Sequence, residues 1–180
     1  GITMKPMLRL FALAIIMMLA ACATTPTGDI SVDAEADPKA RFSGFKTYAW
    51  LAAAEIVFDP EGQWEPRNVD IDAEVQLMIS NELRKRGIVE VSSNPDMLVA
   101  YAAGVDMTTL GLKENPGSKE KLLANIPSAA LVVALIDADT GYVVWIGEAV
   151  GEVQQQADEA TVRARIDYAI SEMFRLLPKD

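Results

Sequence analysis

One cysteine constrains this chain more than any other residue. Cys22 directly follows Leu19-Ala20-Ala21, behind the basic residues Lys5 and Arg9 and an apolar run from Leu10 to Leu19. A basic start, a short apolar stretch and small residues before the cut mark a secretory signal, and a cysteine at the cut supplies the acceptor for a diacylglyceryl group. Residues 8–21 are too few to cross a hydrocarbon core that needs about 20 apolar residues. The reading is a lipoprotein signal over residues 1–21, lipidation at Cys22, and membrane attachment through the acylated cysteine without spanning. Ala23 follows, and no aspartate stands there as an inner-membrane retention signal, so the expected location is the periplasmic face of the outer membrane. Acylation uses the only thiol, so no disulfide is available and the fold must rest on core burial. The 159 residues from Cys22 onward suffice for one core.

Charge and composition then remove whole classes of function. Without residues 1–21 the chain carries 14 basic and 26 acidic side chains, a balance of −12, which repels nucleic acid. Histidine is absent, and with it the commonest general base, the usual catalytic triad and the usual zinc ligands. The expectation is a protein that is not an enzyme, with no catalytic residues, no cofactor and no metal.

Residues 22–28, with Ala23-Thr24-Thr25-Pro26-Thr27-Gly28, read as a flexible tether, and residues 29–180 as a single domain. Ile30, Val32 and Ala34 alternate with acids and a serine in a strand pattern that Asp37-Pro38 closes, and Thr47 to Leu51 forms a second strand entered through Phe42 to Phe45. Ile71, Val75, Met78, Ile79 and Leu83 keep helical spacing between an Asp70 N-cap and a Gly87 C-terminal stop. Ile88 to Val91, Met97 to Met107, Ala129 to Ile136 and Tyr142 to Val153 read as strands, the last two joined by a hairpin at Asp137 to Gly141. Gly147, Ala149 and Gly151 would share a face with Val143, Trp145 and Val153 and let a helix approach closely. Val162, Ile166, Ala169, Ile170, Met173 and Leu177 trace a final helix, with Arg163, Arg165 and Asp167 on its outer side. The fold class expected is α+β: one two-layer domain, a mostly antiparallel sheet of about six strands with two amphipathic helices on one face.

Phe42-Ser43-Gly44-Phe45-Lys46-Thr47-Tyr48-Ala49-Trp50, the Asp70 to Gly87 helix, Pro95-Asp96-Met97-Leu98-Val99-Ala100-Tyr101, Val144-Trp145-Ile146-Gly147-Glu148-Ala149 and the final helix ending in Leu177-Pro178 together resemble one family. It is the domain-of-unknown-function family four-one-three-six of bacterial lipoproteins. The resemblance implies an envelope lipoprotein and supplies no catalytic residues. Where the family often carries an arginine after the tryptophan, this chain has Ile146.

Three places invite a sharper reading. Asp137-x-Asp139-x-Gly141 is a fragment of a calcium loop, but Tyr142 to Trp145 is strand-forming where such a loop should continue, so a hairpin that bonds its own backbone is expected. Pairing Asp70 with Asp72 or Glu148 with Glu152 as a hydrolase dyad is weaker than assigning the first to a helix start and the second to an exposed strand face. Trp50 and Trp145 belong to the core, whereas Trp64, in a turn-rich stretch, is a candidate binding residue. In the long Thr108 to Pro127 connection, Ser118 to Leu123 reads as one or two helical turns, and Lys119 and Lys121 are candidate contacts to lipid headgroups or an acidic partner. Two functions follow: a tethered module that binds an envelope protein partner, or a carrier of a small apolar or lipid ligand in a pocket of Met, Leu and Trp side chains.

Overall fold

The computed structural model describes residues 27–62, 70–106, 110–114, 121–125, 128–154 and 157–179. Strands β1 (Ser31–Ala36) and β2 (Thr47–Phe58) come first, then helix α1 (Ile71–Lys85). Strands β3 (Val89–Glu90), β4 (Met97–Asp106), β5 (Leu110–Glu114), β6 (Lys121–Asn125), β7 (Ser128–Asp137) and β8 (Val143–Glu152) follow, and helix α2 (Glu159–Arg175) ends the order. Six strands form one sheet in the order β1-β8-β7-β4-β2-β3, and β5 pairs with β6 in a sheet of two.

The architecture is α+β, and the sheet is mixed. β1, β8, β7 and β4 pair antiparallel, whereas β2 runs parallel to both β4 and β3. The parallel part has a simple cause: α1 carries the chain from β2 back to the start of the sheet, and such a crossover returns the next strand in the same direction. Both helices contribute to one buried cluster with Tyr48, Val99, Val133, Leu135 and Trp145. They therefore cover the same face, as the apolar spacing predicts.

Local chemistry fixes the helices. Asp70 and Asp158 cap them, each accepting the backbone N–H three residues on, from Ala73 at 3.0 Å and Thr161 at 2.8 Å. Gly87 takes φ +76° just beyond α1, a conformation that costs a residue with a Cβ and costs glycine little. Arg86 donates to the carbonyl oxygens of Phe174, Leu177 and Pro178, so the end of α1 caps the end of α2. Glu74 meets Arg163 near the other ends, which makes the two helices neighbours running in the same direction.

Several expectations need correction. Lys121 to Leu123 is strand, not helix, because pairing with Leu112 to Glu114 satisfies its backbone where a helix of one or two turns is unstable alone. Val143, expected beside Trp145, turns to the opposite face at a bulge between the pairs Leu135/Trp145 and Ile136/Val143. β2 runs on to Phe58, well past Leu51, across a bulge between Trp50 and Ala52. Arg165 and Asp167 do not sit on the outer side of α2; both are turned into the domain. Trp145 is buried as expected, and Trp50 packs half-buried against the same core, edge-on to Tyr48 and Tyr101 at centroid distances of 5.6 and 6.0 Å. Gly147 behaves as expected: a Cβ there would collide with Met173 and the Trp145 ring.

Candidate functional site

Side-chain size falls along the helix-covered face of the sheet. One cross-strand row holds Val99, Leu135 and Trp145; two rows further on the same strands offer Ala103, Leu131 and Ala149, then Val105, Ala129 and Gly151. The large end packs against Leu83, Met173 and Phe174. At the small end the first turns of α1 and α2 arch over residues too short to reach them. The result is an apolar cleft of about 350 Å³, walled by Ile71, Val75, Val105, Leu131, Val162 and Ile166. Its walls are aliphatic, not the Met, Leu and Trp set expected for a ligand carrier.

Polar groups ring this cleft. Arg165 clasps Asp29 with two bonds, Nη1 to Oδ1 at 2.8 Å and Nη2 to Oδ2 at 2.6 Å, and the Glu152 N–H donates to Asp29 at 2.8 Å. The Arg165 hydrogen bonds, ahead of the opposing desolvation, hold the Asp29 carboxyl below the usual range. Gly151 makes room for this clasp, since a Cβ would stand 3.1 Å from Asp29 and 3.2 Å from Arg165. On the α1 side, Tyr101 donates its hydroxyl to Asp72 at 3.1 Å and accepts from Gln76 at 3.2 Å. Burial, foremost, pushes the Tyr101 phenol up. Between the helices, burial and then a shared hydrogen bond with Glu74 push Asp167 up to about 6, against the pull of Arg163.

The other face of the sheet, which no described element covers, is apolar too. Ala52, Ala54 and Ile56 of β2, Leu98, Ala100 and Ala102 of β4, and Ala130, Val132, Ala134 and Ile136 of β7 share it, with Ile146 on β8. Asp33, Glu35 and Glu148 border it on the β1 side. β3 pairs only with Thr47 and Tyr48, so among the described residues β2 is an edge beyond them, and Ile56 and Phe58 on it are 58% and 57% exposed.

Of the residues singled out by sequence, Cys22, Trp64 and Lys119 lie outside the described residues, and Lys121 is described only as the first residue of β6. Asp137 accepts the N–H groups of Asp139 and Thr140 with its own carboxylate, and Gly141 takes φ +74°, as a self-bonded hairpin requires. Asp70 is a cap, and Glu148 is exposed on a strand. Among the described residues no three His, Cys, Asp or Glu side chains gather as a metal site, and no helix is long and apolar enough to cross a membrane. Sequence reading missed the cleft. Its only signal was the run of small residues at the far ends of β4, β7 and β8.

The model of a family described as a domain of unknown function, DUF4136, matches residues 32–179. A DUF4136 protein from Bacteroides thetaiotaomicron shares the fold at TM-score 0.51 and 11% identity, over 80% of this chain and 95% of that one. A PDZ domain protein from Parabacteroides distasonis aligns at TM-score 0.50 and 16% identity over 93% of this chain, which spans 40% of that protein. A PelC dodecamer from Paraburkholderia phytofirmans aligns at TM-score 0.47 and 17% identity, over 79% of this chain and 95% of that one. At these identities the likeness concerns fold alone. No curated protein matches the chain significantly.

Proposed function

The chain belongs to the DUF4136 family, and from that premise we propose that it is a lipid-anchored envelope lipoprotein, held at the periplasmic face of the outer membrane by acylated Cys22, that works as a non-enzymatic binding or assembly module. The Leu19 to Cys22 sequence supports the anchor. One observation carries the binding role: the β2 edge, unpaired among the described residues, with exposed Leu51, Ile56 and Phe58 and continuous with the apolar sheet face opposite the helices. Long apolar edges invite pairing by another chain, and soluble domains usually blunt them with charge or cover.

The test is intact mass and affinity pull-down of the full-length chain from detergent-solubilised native membranes. The expected mass is that of a chain starting at acylated Cys22, with a stoichiometric partner that is lost from Ile56→Lys. An unmodified cysteine would remove the anchor, and a partner retained by Ile56→Lys would remove the edge as its site. Deleting residues 108–127 asks separately whether the region holding β5 and β6, with Lys119 and Lys121, takes part; an unchanged pull-down clears it of that role.

A second reading rests on the cleft. A concave aliphatic space of about 350 Å³ lies within the range of small-ligand sites, roughly 300–1,000 Å³, and supports a carrier or binder of an apolar ligand.

A further inference from the structure

We propose that the cleft takes one acyl chain of a membrane lipid whose head donates hydrogen bonds and carries no net negative charge. The inference deepens the ligand-binding reading and rests on it.

The walls choose the tail. No aromatic ring lines the cleft among the described residues, so a flat ligand would find nothing to stack on, while a flexible saturated chain matches the aliphatic side chains on both helices and the sheet. The volume is at the small end of ligand cavities, which suits one chain and not two.

The rim chooses the head. Asp70 and Asp72 border the opening, Glu152 meets it with its backbone N–H and C=O, and Arg165, the cation among the described lining residues, is clasped by Asp29. Two helix N-termini also open here, and their partial positive charge would favour an anion. Asp70 and Asp158 each accept one of the free N–H groups at their helix start and set a carboxylate beside it, which offsets that charge from within. A fatty-acid carboxylate or a phosphatidylglycerol head would meet like charge. An ethanolamine ammonium or a glycerol hydroxyl would meet acceptors, with Asp72 oriented by the Tyr101 hydroxyl.

The experiment keeps the protein in its envelope. Cells rich in both phosphatidylethanolamine and phosphatidylglycerol express the full-length chain and are fed palmitate bearing a mid-chain diazirine. After irradiation the chain is purified and digested, and the mass of each lipid adduct reports both its peptide and its head. The expected adducts fall on peptides containing 71–75, 103–105 or 129–131, with phosphatidylethanolamine or neutral glyceride dominant. Ala129→Phe, which fills the floor, should lower them about tenfold at an unchanged melting temperature. If that variant does not fold, Val162→Asp at the half-buried rim serves in its place. Asp70→Asn with Asp72→Asn, which keeps a competent cap, should raise the phosphatidylglycerol share.

Each contrary result has its own meaning. Cleft adducts dominated by fatty acid or phosphatidylglycerol overturn the choice of head and leave ligand binding standing. Cleft adducts no stronger than those on exposed Leu51 to Ala54 of β2 overturn both. A cleft peptide joined to the acylated Cys22 peptide shows the protein's own anchor as occupant, and cleft adducts gained only in Trp64→Ala show residues 63–69 there; either overturns the inference.

Discussion

The two ends of the helix-covered sheet face differ in one variable, the size of the side chains in equivalent rows. Around Trp145, large residues on β4, β7 and β8 meet large residues on both helices, and Gly147 is needed so that Met173 can lie against the indole. Around Gly151, short residues face the first helical turns and a cleft remains. The same layers and the same strands thus yield a packed core at one end and an accessible space at the other. One end holds the fold together while the other leaves a space between the layers.

If that contrast is right, adding a single carbon at the packed end should have the largest effect. Gly147→Ala places a Cβ against the Met173 thioether, which can swing aside, and against the Trp145 ring, which cannot. Overpacking of this kind costs roughly 2–3 kcal/mol, seen as a lowered urea midpoint with unchanged slope. A variant as stable as the parent would mean that the packed end is looser than its contacts indicate.

The clasp at the cleft end comes next. Arg165→Ala should cost about 1–2 kcal/mol at neutral pH, because Asp29 stays partly buried after losing its bidentate partner. Asp29 has a lowered folded-state pKa, so its contribution is present above its unfolded value of 3.8 and is lost as pH falls through the lower folded value. Parent and variant should therefore converge in stability as pH falls below that lowered value, and a gap that persists there would assign the loss to packing.

Asp167 has the opposite sign. Its pKa is raised in the fold to about 6, so the folded state binds the extra proton between there and 3.8, and stability falls as pH rises through that window. Asp167→Asn should stabilise the protein by about 1 kcal/mol at pH 7, discounted because water reaches the pair, and by nearly nothing at pH 4. The measurement is thermal melting at both values; equal gains at both would remove the Glu74 contact as the cause.

How much of this could be read from sequence follows the same divide. The packed end was legible, because helical spacing from Ile71 to Leu83 and from Val162 to Leu177 and the small residues beside Trp145 are local patterns with one physical meaning each. The parallel β2/β4 pairing was not, since period-two alternation marks a strand and not its neighbour. Arg165 stands three residues after Val162 and four before Ala169, on the flank of the apolar stripe, so its charge does not put it on the outer side of α2. Its partner Asp29 lies 136 residues away, a distance that no local pattern spans. The cleft was illegible for a related reason: Ala103, Ala129 and Gly151 are ordinary strand residues until register aligns two of their strands against the third. Of the candidates named on charge or exposure, Trp64 and Lys119 lie outside the described residues and Lys121 opens β6, whereas the cleft is built from β4, β7, β8 and the two helices.

The smallest effect sharpens the contrast most. Ala129 lies on the cleft floor, in the row of Val105 and Gly151, so Ala129→Leu adds three carbons where Gly147→Ala adds one. At the packed end extra volume must displace neighbours; here it enters space the helices do not fill. Filling a cavity commonly stabilises by about 0.5 kcal/mol or more, and loss of solvent contact by the new side chain favours the same direction. The expected result is a melting temperature equal to or slightly above the parent, beside the clear loss at Gly147. A destabilisation comparable to that of Gly147→Ala would mean that the cleft end is already packed, and the distinction between a packed end and an open end would fall.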